Sequence, residues 1–294
     1  MSGIVLDIQR FCTQDGPGIR STVFLKGCNL RCQWCHNPES FQLSPQLSFL
    51  KNKCVGCGRC AEVCNCGAHN LSKEKGHTIN FQACVACGKC VAACPAEALS
   101  VYGKRMEAAE VIEEIKKDRK YYERSQGGAT FSGGEATFQF EFLIELLELC
   151  KKEGIHTAVE TNGAVSDNRL KKLCERTDLF LLDFKLGVSE DQKSWLGAQG
   201  LDIVPVLRCL SDNGKPVILR CPVIPGINDT EKHFQEIRDL QRQFPNIQYA
   251  EIMPYHDTGK GKWDSIGLDY QLGTIKTVSA SQKSIWQDRI RIGR

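Results

Sequence analysis

Three cysteines in the segment GCNLRCQWC, namely Cys28, Cys32 and Cys35, are spaced CxxxCxxC. Four thiolates saturate a [4Fe–4S] cluster. Three leave one iron open to a ligand, much as three protein ligands leave a catalytic zinc ion open. A zinc knuckle completed by His36 or Cys12 is the alternative use of this spacing, and it gives no role to the polar residues described below.

Two further runs repeat a different pattern. Cys54, Cys57, Cys60 and Cys64 form CxxCxxCxxxC, and Cys84, Cys87, Cys90 and Cys94 form it again, followed by Pro95. This is the spacing of bacterial two-cluster ferredoxins, in which each fourth cysteine ligates the other cluster. The expected ligand sets are therefore Cys54, Cys57, Cys60 and Cys94 for one cluster, and Cys84, Cys87, Cys90 and Cys64 for the other. The first run ends Cys64-Asn65-Cys66 with no proline, so Cys66 is an alternative to Cys64. Twelve of the 17 cysteines lie between Cys28 and Cys94. In a chain of 294 residues without a secretory pattern, that density points to metal rather than disulfides. Cys12, Cys150, Cys174, Cys209 and Cys221 lack metal spacing and read as small buried apolar residues.

The elements that must position these groups alternate in type. Short apolar stretches at Ser21–Lys26, Ala129–Ser132, His156–Glu160, Leu179–Asp183, Pro216–Arg220 and Tyr249–Met253 read as strands buried on both faces. Amphipathic helices separate them. One carries Phe140, Leu143, Ile144, Leu147 and Cys150 on a single face, with Gly154 just beyond its end. Another follows the cap cluster Asn228-Asp229-Thr230 and aligns Phe234, Ile237 and Phe244. Six such units predict a partial (β/α)6 barrel of the TIM type, in the α/β class. The cysteine-rich stretch interrupts it as a ferredoxin-like insert. The expected organisation is barrel from 1 to 49, insert from 50 to 101, and barrel again from 102 to 294.

Ligands of parallel α/β folds collect at the carboxyl ends of the strands. Cys28, Cys32 and Cys35 follow the first expected strand and Ser132-Gly133-Gly134-Glu135 the second. Glu160 ends the third, Asp183 and Lys185 the fourth, Arg220 the fifth, and His256 follows the sixth. Glycines at 133 and 134 let main chain approach a ligand. Arg220 matches a carboxylate with two parallel hydrogen bonds. The plainer reading of the charges is a salt bridge from Asp183 to Lys185 or Arg220. The basic, glycine-rich stretch His256–Trp263 reads as a mobile loop.

The totals exclude some classes. A net charge of +3 is too small to argue for nucleic acid or a membrane surface. No apolar run reaches the length of a bilayer span, and MSGIVLDIQRF is not a secretory leader, so a soluble, cytoplasmic protein is expected.

The combined string DGPGIR…KGCNLRCQWCHNPES, with the later motifs SGGE and DFK, resembles the glycyl-radical-enzyme activating enzymes. These belong to the radical S-adenosylmethionine (SAM) superfamily and are relatives of the pyruvate formate-lyase activator. The resemblance implies that SAM chelates the open iron, with Trp34 near its adenine. It implies that the 132–135 turn meets the aminoacyl end of SAM, and that His256 meets the nucleoside. Glu160 and Asp183 resemble a monovalent-cation site beside the SAM carboxylate, although Glu160 stands where Asp is common. Ala136 replaces the proline of the usual GGEP. The family reaction is reductive cleavage of SAM, after which the 5′-deoxyadenosyl radical takes a hydrogen atom from a backbone glycine of the partner. The implied cofactors are SAM and three [4Fe–4S] clusters. The implied partners are a glycyl-radical enzyme and a flavodoxin or ferredoxin donor, with the activator a monomer. Two other readings are compatible with the sequence: a radical SAM enzyme acting on a peptide or small molecule, and a non-catalytic electron carrier.

Overall fold

The computed structural model describes residues 1–188 and 190–293. Strand β1 (Ser2–Cys12) turns back antiparallel onto β2 (Arg20–Leu25). The cysteine-rich segment follows with β3 (Gln46–Phe49), β4 (His69–Ser72), β5 (Gly76–Ile79) and β6 (Leu99–Tyr102). Then come β7 (Lys104–Glu107), β8 (Gly128–Gly133), β9 (Thr157–Thr161), β10 (Leu179–Asp183), β11 (Val217–Val223) and β12 (Ile247–Pro254). One eight-stranded sheet runs β12-β11-β10-β9-β8-β2-β1-β7, and the six strands from β12 to β2 are parallel. These six are the strands expected from the sequence, with ends moved by a few residues. The partial barrel follows from them.

β1 and β7 had no sequence signal of their own. The second half of β1 is mostly exposed and β7 is KRME, so neither shows the apolar run of a buried strand. β7 is a short charged edge, a form that discourages pairing with other chains.

Alternation along the parallel strands sorts side chains into two layers. Phe180, Leu182, Val217, Leu219, Cys221 and Val159 pack outward under the helices. Ala158, Leu179, Leu181 and Ile218 form a small separate apolar cluster. One step further along the same strand faces come Glu160, Asp183 and Arg220. The barrel interior is thus apolar at its base and charged near its carboxyl end.

The helices seal the outside. The Phe140–Lys152 helix buries Phe140, Phe142, Leu143, Leu146, Leu147 and Cys150, whereas Ile144 only packs at the margin. Gly154 takes a left-handed conformation (φ 64°) that ends it. In the Glu231–Gln243 helix, the Thr230 side chain accepts from His233 N at 3.2 Å, and Phe234, Ile237 and Leu240 are buried. Cys150, Cys174 and Cys221 are buried as expected, but Cys12 and Cys209 are half-exposed. Among the described residues, no helix is long and apolar enough to cross a membrane.

The cysteine-rich lobe is framed by β3 pairing antiparallel with β6, so it begins at Gln46, a little before the compositional break at Leu50. Its own core is only Leu47, Phe49, Cys60, Cys90, Ala98 and Leu99. A core this small needs additional bonds to stay folded.

Candidate functional site

A cavity of about 450 Å³ opens at the carboxyl ends of the six parallel strands. Cys28, Cys32, Trp34, Cys35, Ser132, Gly133, Gly134, Glu135, Glu160, Asp183, Lys185, Arg220 and His256 all line it. The structure therefore brings together every residue that the sequence places at the strand ends. Sheet register explains part of this convergence: Asp183, Arg220 and Glu251 lie side by side on β10, β11 and β12.

Cys28 and Cys32 are buried and Cys35 is partly buried, and desolvation pushes Cys28 up to about 12 and raises Cys32 and Cys35 as well. The nearby Lys185 ammonium acts in the opposite direction on each. Such thiols keep their protons until a metal displaces them. Zn–S bonds of about 2.3 Å would bring sulfurs to within about 3.8 Å of one another. Among the described residues, only Cys60, His69 and His77 place three ligand atoms within 4.8 Å. The Cys28, Cys32 and Cys35 sulfurs do not form such a group. Cys12 does not line the cavity; its thiol meets Gln9 O.

The loop holding these cysteines is pinned from outside. Trp34 is buried and lies 6.5 Å from Trp195, ring centre to ring centre. The stretch expected as a mobile loop instead contains a helix, Lys260–Ser265. Trp263 Nε1 donates to Cys35 O at 2.9 Å, and Lys262 reaches Glu39 at 2.6 Å. His256 stacks on His36 with ring centres 3.6 Å apart. Burial lowers His36 to about 4 and lowers His256 too, so both rings are neutral at pH 7. His36 Nε2 is buried without a hydrogen-bond partner.

The turn after β8 is built by its glycines and by Glu135. Gly133 has φ 123°, and a Cβ there would lie 2.1 Å from Leu25 O. The buried Glu135 carboxylate accepts from Thr137 N at 3.1 Å, Thr161 Oγ1 at 2.8 Å and Asn162 N at 2.8 Å. Glu135 thus ties the β8 and β9 loops together, leaving main chain to face the cavity. A Cβ on Gly134 would sit 2.5 Å from Gly27 O and 2.9 Å from Cys28 Cβ. Gly134→Ala is accordingly expected to displace the Cys28 loop and lower turnover about 10²-fold. The far-UV circular dichroism should remain that of the wild type; turnover within a few-fold of wild type would refute this reading of the turn.

The charged layer is fully paired. Lys185 Nζ lies 2.7 Å from Asp183 Oδ2, the salt bridge the plainer reading anticipated. Burial raises Asp183 against the pull of Lys185, and Lys185 is raised chiefly through Asp183 despite its own burial. Arg220 meets Glu160 at 2.7 Å, Glu251 at 3.3 Å and Asp15 at 3.7 Å. The second Glu160 oxygen accepts from Ser132 Oγ. Asp15, Glu251, Gln14, Met253 and Lys283 are cavity or pair residues that sequence reasoning did not assign, and His36 was considered only as a zinc ligand. Glu251 had a usable signal, since it alternates with the buried Ala250 and Ile252 along β12.

The lobe holds two smaller cavities. One is lined by Cys54, Cys57, Cys60 and Cys94, the other by Cys64, Cys66, Cys84, Cys87 and Cys90. Cys64 and Cys66 sulfurs are 3.6 Å apart.

Comparison with known proteins adds four findings. The radical SAM superfamily profile matches residues 22–240. The (2S)-3-sulfopropanediol dehydratase activating enzyme of Klebsiella oxytoca is 37% identical over 93% of this chain and 88% of its own length. The choline trimethylamine-lyase activating enzyme of Oleidesulfovibrio alaskensis is 38% identical over 92% of this chain and 88% of its own. A radical SAM methyltransferase from Sphaerobacter thermophilus shares the fold with a TM-score of 0.51 at 14% identity, over 97% of this chain and 74% of that one.

Proposed function

The chain belongs to the radical SAM superfamily and, within it, to the glycyl-radical-enzyme activating enzymes, and we propose that Cys28, Cys32 and Cys35 hold its SAM-binding cluster. It activates a partner glycyl-radical enzyme. A [4Fe–4S] cluster held by these cysteines would supply the electron for reductive cleavage of the S–C5′ bond of SAM to methionine and a 5′-deoxyadenosyl radical, the hydrogen-atom acceptor for a backbone glycine of the partner. The observation that carries the residue assignment is the meeting of these three cysteines with six strand ends at one cavity.

The remaining residues bind, orient and exclude water. Trp34 walls the cavity beside the thiols, and the neutral His36–His256 stack offers a flat face to a nucleoside. The main chain of Ser132–Glu135 is held close by the absence of side chains at Gly133 and Gly134. Lys185 and Arg220 present the cationic groups suited to a ligand carboxylate. No side chain need move a proton. A monovalent cation beside Asp183 would compete with Lys185, and one at Glu160 would compete with Arg220.

The two lobe cavities support the two further clusters, with the expected cysteine sets each lining one of them. Cys64 takes the position of Cys94 in the repeat, and the main-chain amide four residues on points to the sulfur in both. That favours Cys64 over Cys66, which takes the place of Ala96. The lobe would carry electrons from a flavodoxin or ferredoxin to a monomeric activator. The test is anaerobic: reconstituted, reduced protein is mixed with SAM and a panel of partner enzymes of the kinds its relatives serve. A glycyl-radical electron-spin signal is expected with one of them. A stable modified peptide or small molecule, with no glycyl radical anywhere in the panel, would refute the activase assignment.

A further inference from the structure

The two halves of the lobe follow the same pattern, and two positions break it. The β4–β5 hairpin pairs His69 with Ile79 and Leu71 with His77. The β3–β6 pair places Leu99 opposite Phe49 and Val101 opposite Leu47 in the same arrangement. His69 follows Cys64 by the interval at which Leu99 follows Cys94. His77 then corresponds to Leu47. Each histidine lines one cysteine cavity, and the corresponding leucine lines the other. The lobe evidently packs with leucine at these places, whereas a buried imidazole needs hydrogen-bond partners.

The partners are present. His77 Nδ1 lies 3.3 Å from Cys54 Sγ, and His77 Nε2 lies 2.9 Å from His69 Nδ1, with Cys60 Sγ farther off at 3.7 Å. His69 Nε2 is buried without a partner. Both rings are at least nine-tenths buried. Once Cys54 is a metal-bound thiolate it can only accept, so His77 Nδ1 must carry the proton. Neutral His77 then accepts at Nε2, and His69 must donate from Nδ1. Its Nε2 is left as a bare lone pair at the second cavity, unable to donate to any sulfur there. The proton order along the pair is fixed by one thiolate.

We propose that His69 and His77 form a directional hydrogen-bond chain ending on the Cys54 thiolate, which sets the two lobe clusters at unequal reduction potentials. The proposal rests on the reading that the lobe holds two clusters. Hydrogen bonds to cluster sulfurs stabilise the more negative, reduced state and raise the potential. The cluster held by Cys54, Cys57, Cys60 and Cys94 receives this N–H and the other does not. An electron entering the lobe therefore rests preferentially on the first.

The test is a potentiometric titration of the full-length, fully reconstituted protein followed by electron-spin resonance. The SAM-binding cluster is recognised by the change in its signal when SAM is added. Wild type should show two separated lobe midpoints. His77→Leu, which copies Leu47, should lower the higher one and leave the other in place, with iron content unchanged. His77→Asn, which keeps an N–H near the Nδ1 position, should restore it, and His69→Leu should shift the same midpoint by less. Full iron content with both midpoints unmoved in His77→Leu would overturn the chain alone. Loss of one cluster's iron in both His77 variants would make His77 a ligand and overturn it too. A wild-type iron content of a single cluster would overturn the two-cluster reading, and the chain with it.

Discussion

Replacing Cys28, Cys32 or Cys35 with alanine is expected to remove one cluster's worth of iron and abolish 5′-deoxyadenosine production. The loss should far exceed the about 10–100-fold that a supporting residue costs at a metal site. The side chains are small, so the fold should survive; the lobe should keep its own iron. Metal loading of the wild type must expel protons, because burial, the main cause, holds Cys28 up at about 12. Loading at limiting iron should therefore improve as pH rises. Cys12→Ala supplies the contrast: its thiol meets a main-chain carbonyl outside the cavity, so iron content should not change. Wild-type deoxyadenosine yield from any of the three alanine variants would refute the cluster assignment. So would loss of this cluster in Cys12→Ala, which would restore the four-ligand alternative.

The convergence of these residues was legible because each parallel strand announced itself by an apolar run, and polar residues followed each run. The alternation on β10, where Leu179 and Leu181 precede Asp183, even indicates which face carries the charge. The sequence was less informative wherever a side chain's role depends on a distant partner. Glu135 reads as part of a ligand turn, yet its carboxylate locks Thr161 and Asn162 on the neighbouring loop. The segment from 256 to 263 has the composition of a mobile loop. Trp263 and Lys262 hold it instead against Cys35 and Glu39, contacts spanning more than two hundred residues. β1 escaped notice because half of it is a solvent-exposed ribbon. The pairing of His69 with His77 needed the β4–β5 register, since two histidines eight residues apart have no periodic signature of their own.

Arg220→Met is expected to destabilise the protein by about 3–5 kcal/mol near neutral pH, the usual result of removing one partner from a buried ion cluster. Arg220 is 4% exposed and is the cation shared by Glu160, Glu251 and Asp15. Methionine fills much of the same space, so the loss is electrostatic rather than a cavity. The pH dependence gives the sign. Burial already raises Glu251 with Arg220 beside it to lower it, and losing the guanidinium raises it further. A carboxyl whose folded value lies above its unfolded one costs stability once the pH exceeds the unfolded value. It returns that stability as the pH falls and the folded form takes up the proton. The gap between variant and wild type should accordingly be widest at neutral pH and narrow toward acid, as measured by denaturant unfolding of the two proteins at matched metal content. A gap independent of pH would mean that Arg220 acts through packing alone. Arg220→Lys should recover part of the stability through its charge. It should recover less of the activity, because a single ammonium cannot reproduce the two-pronged grip on a carboxylate that the guanidinium offers at this cavity.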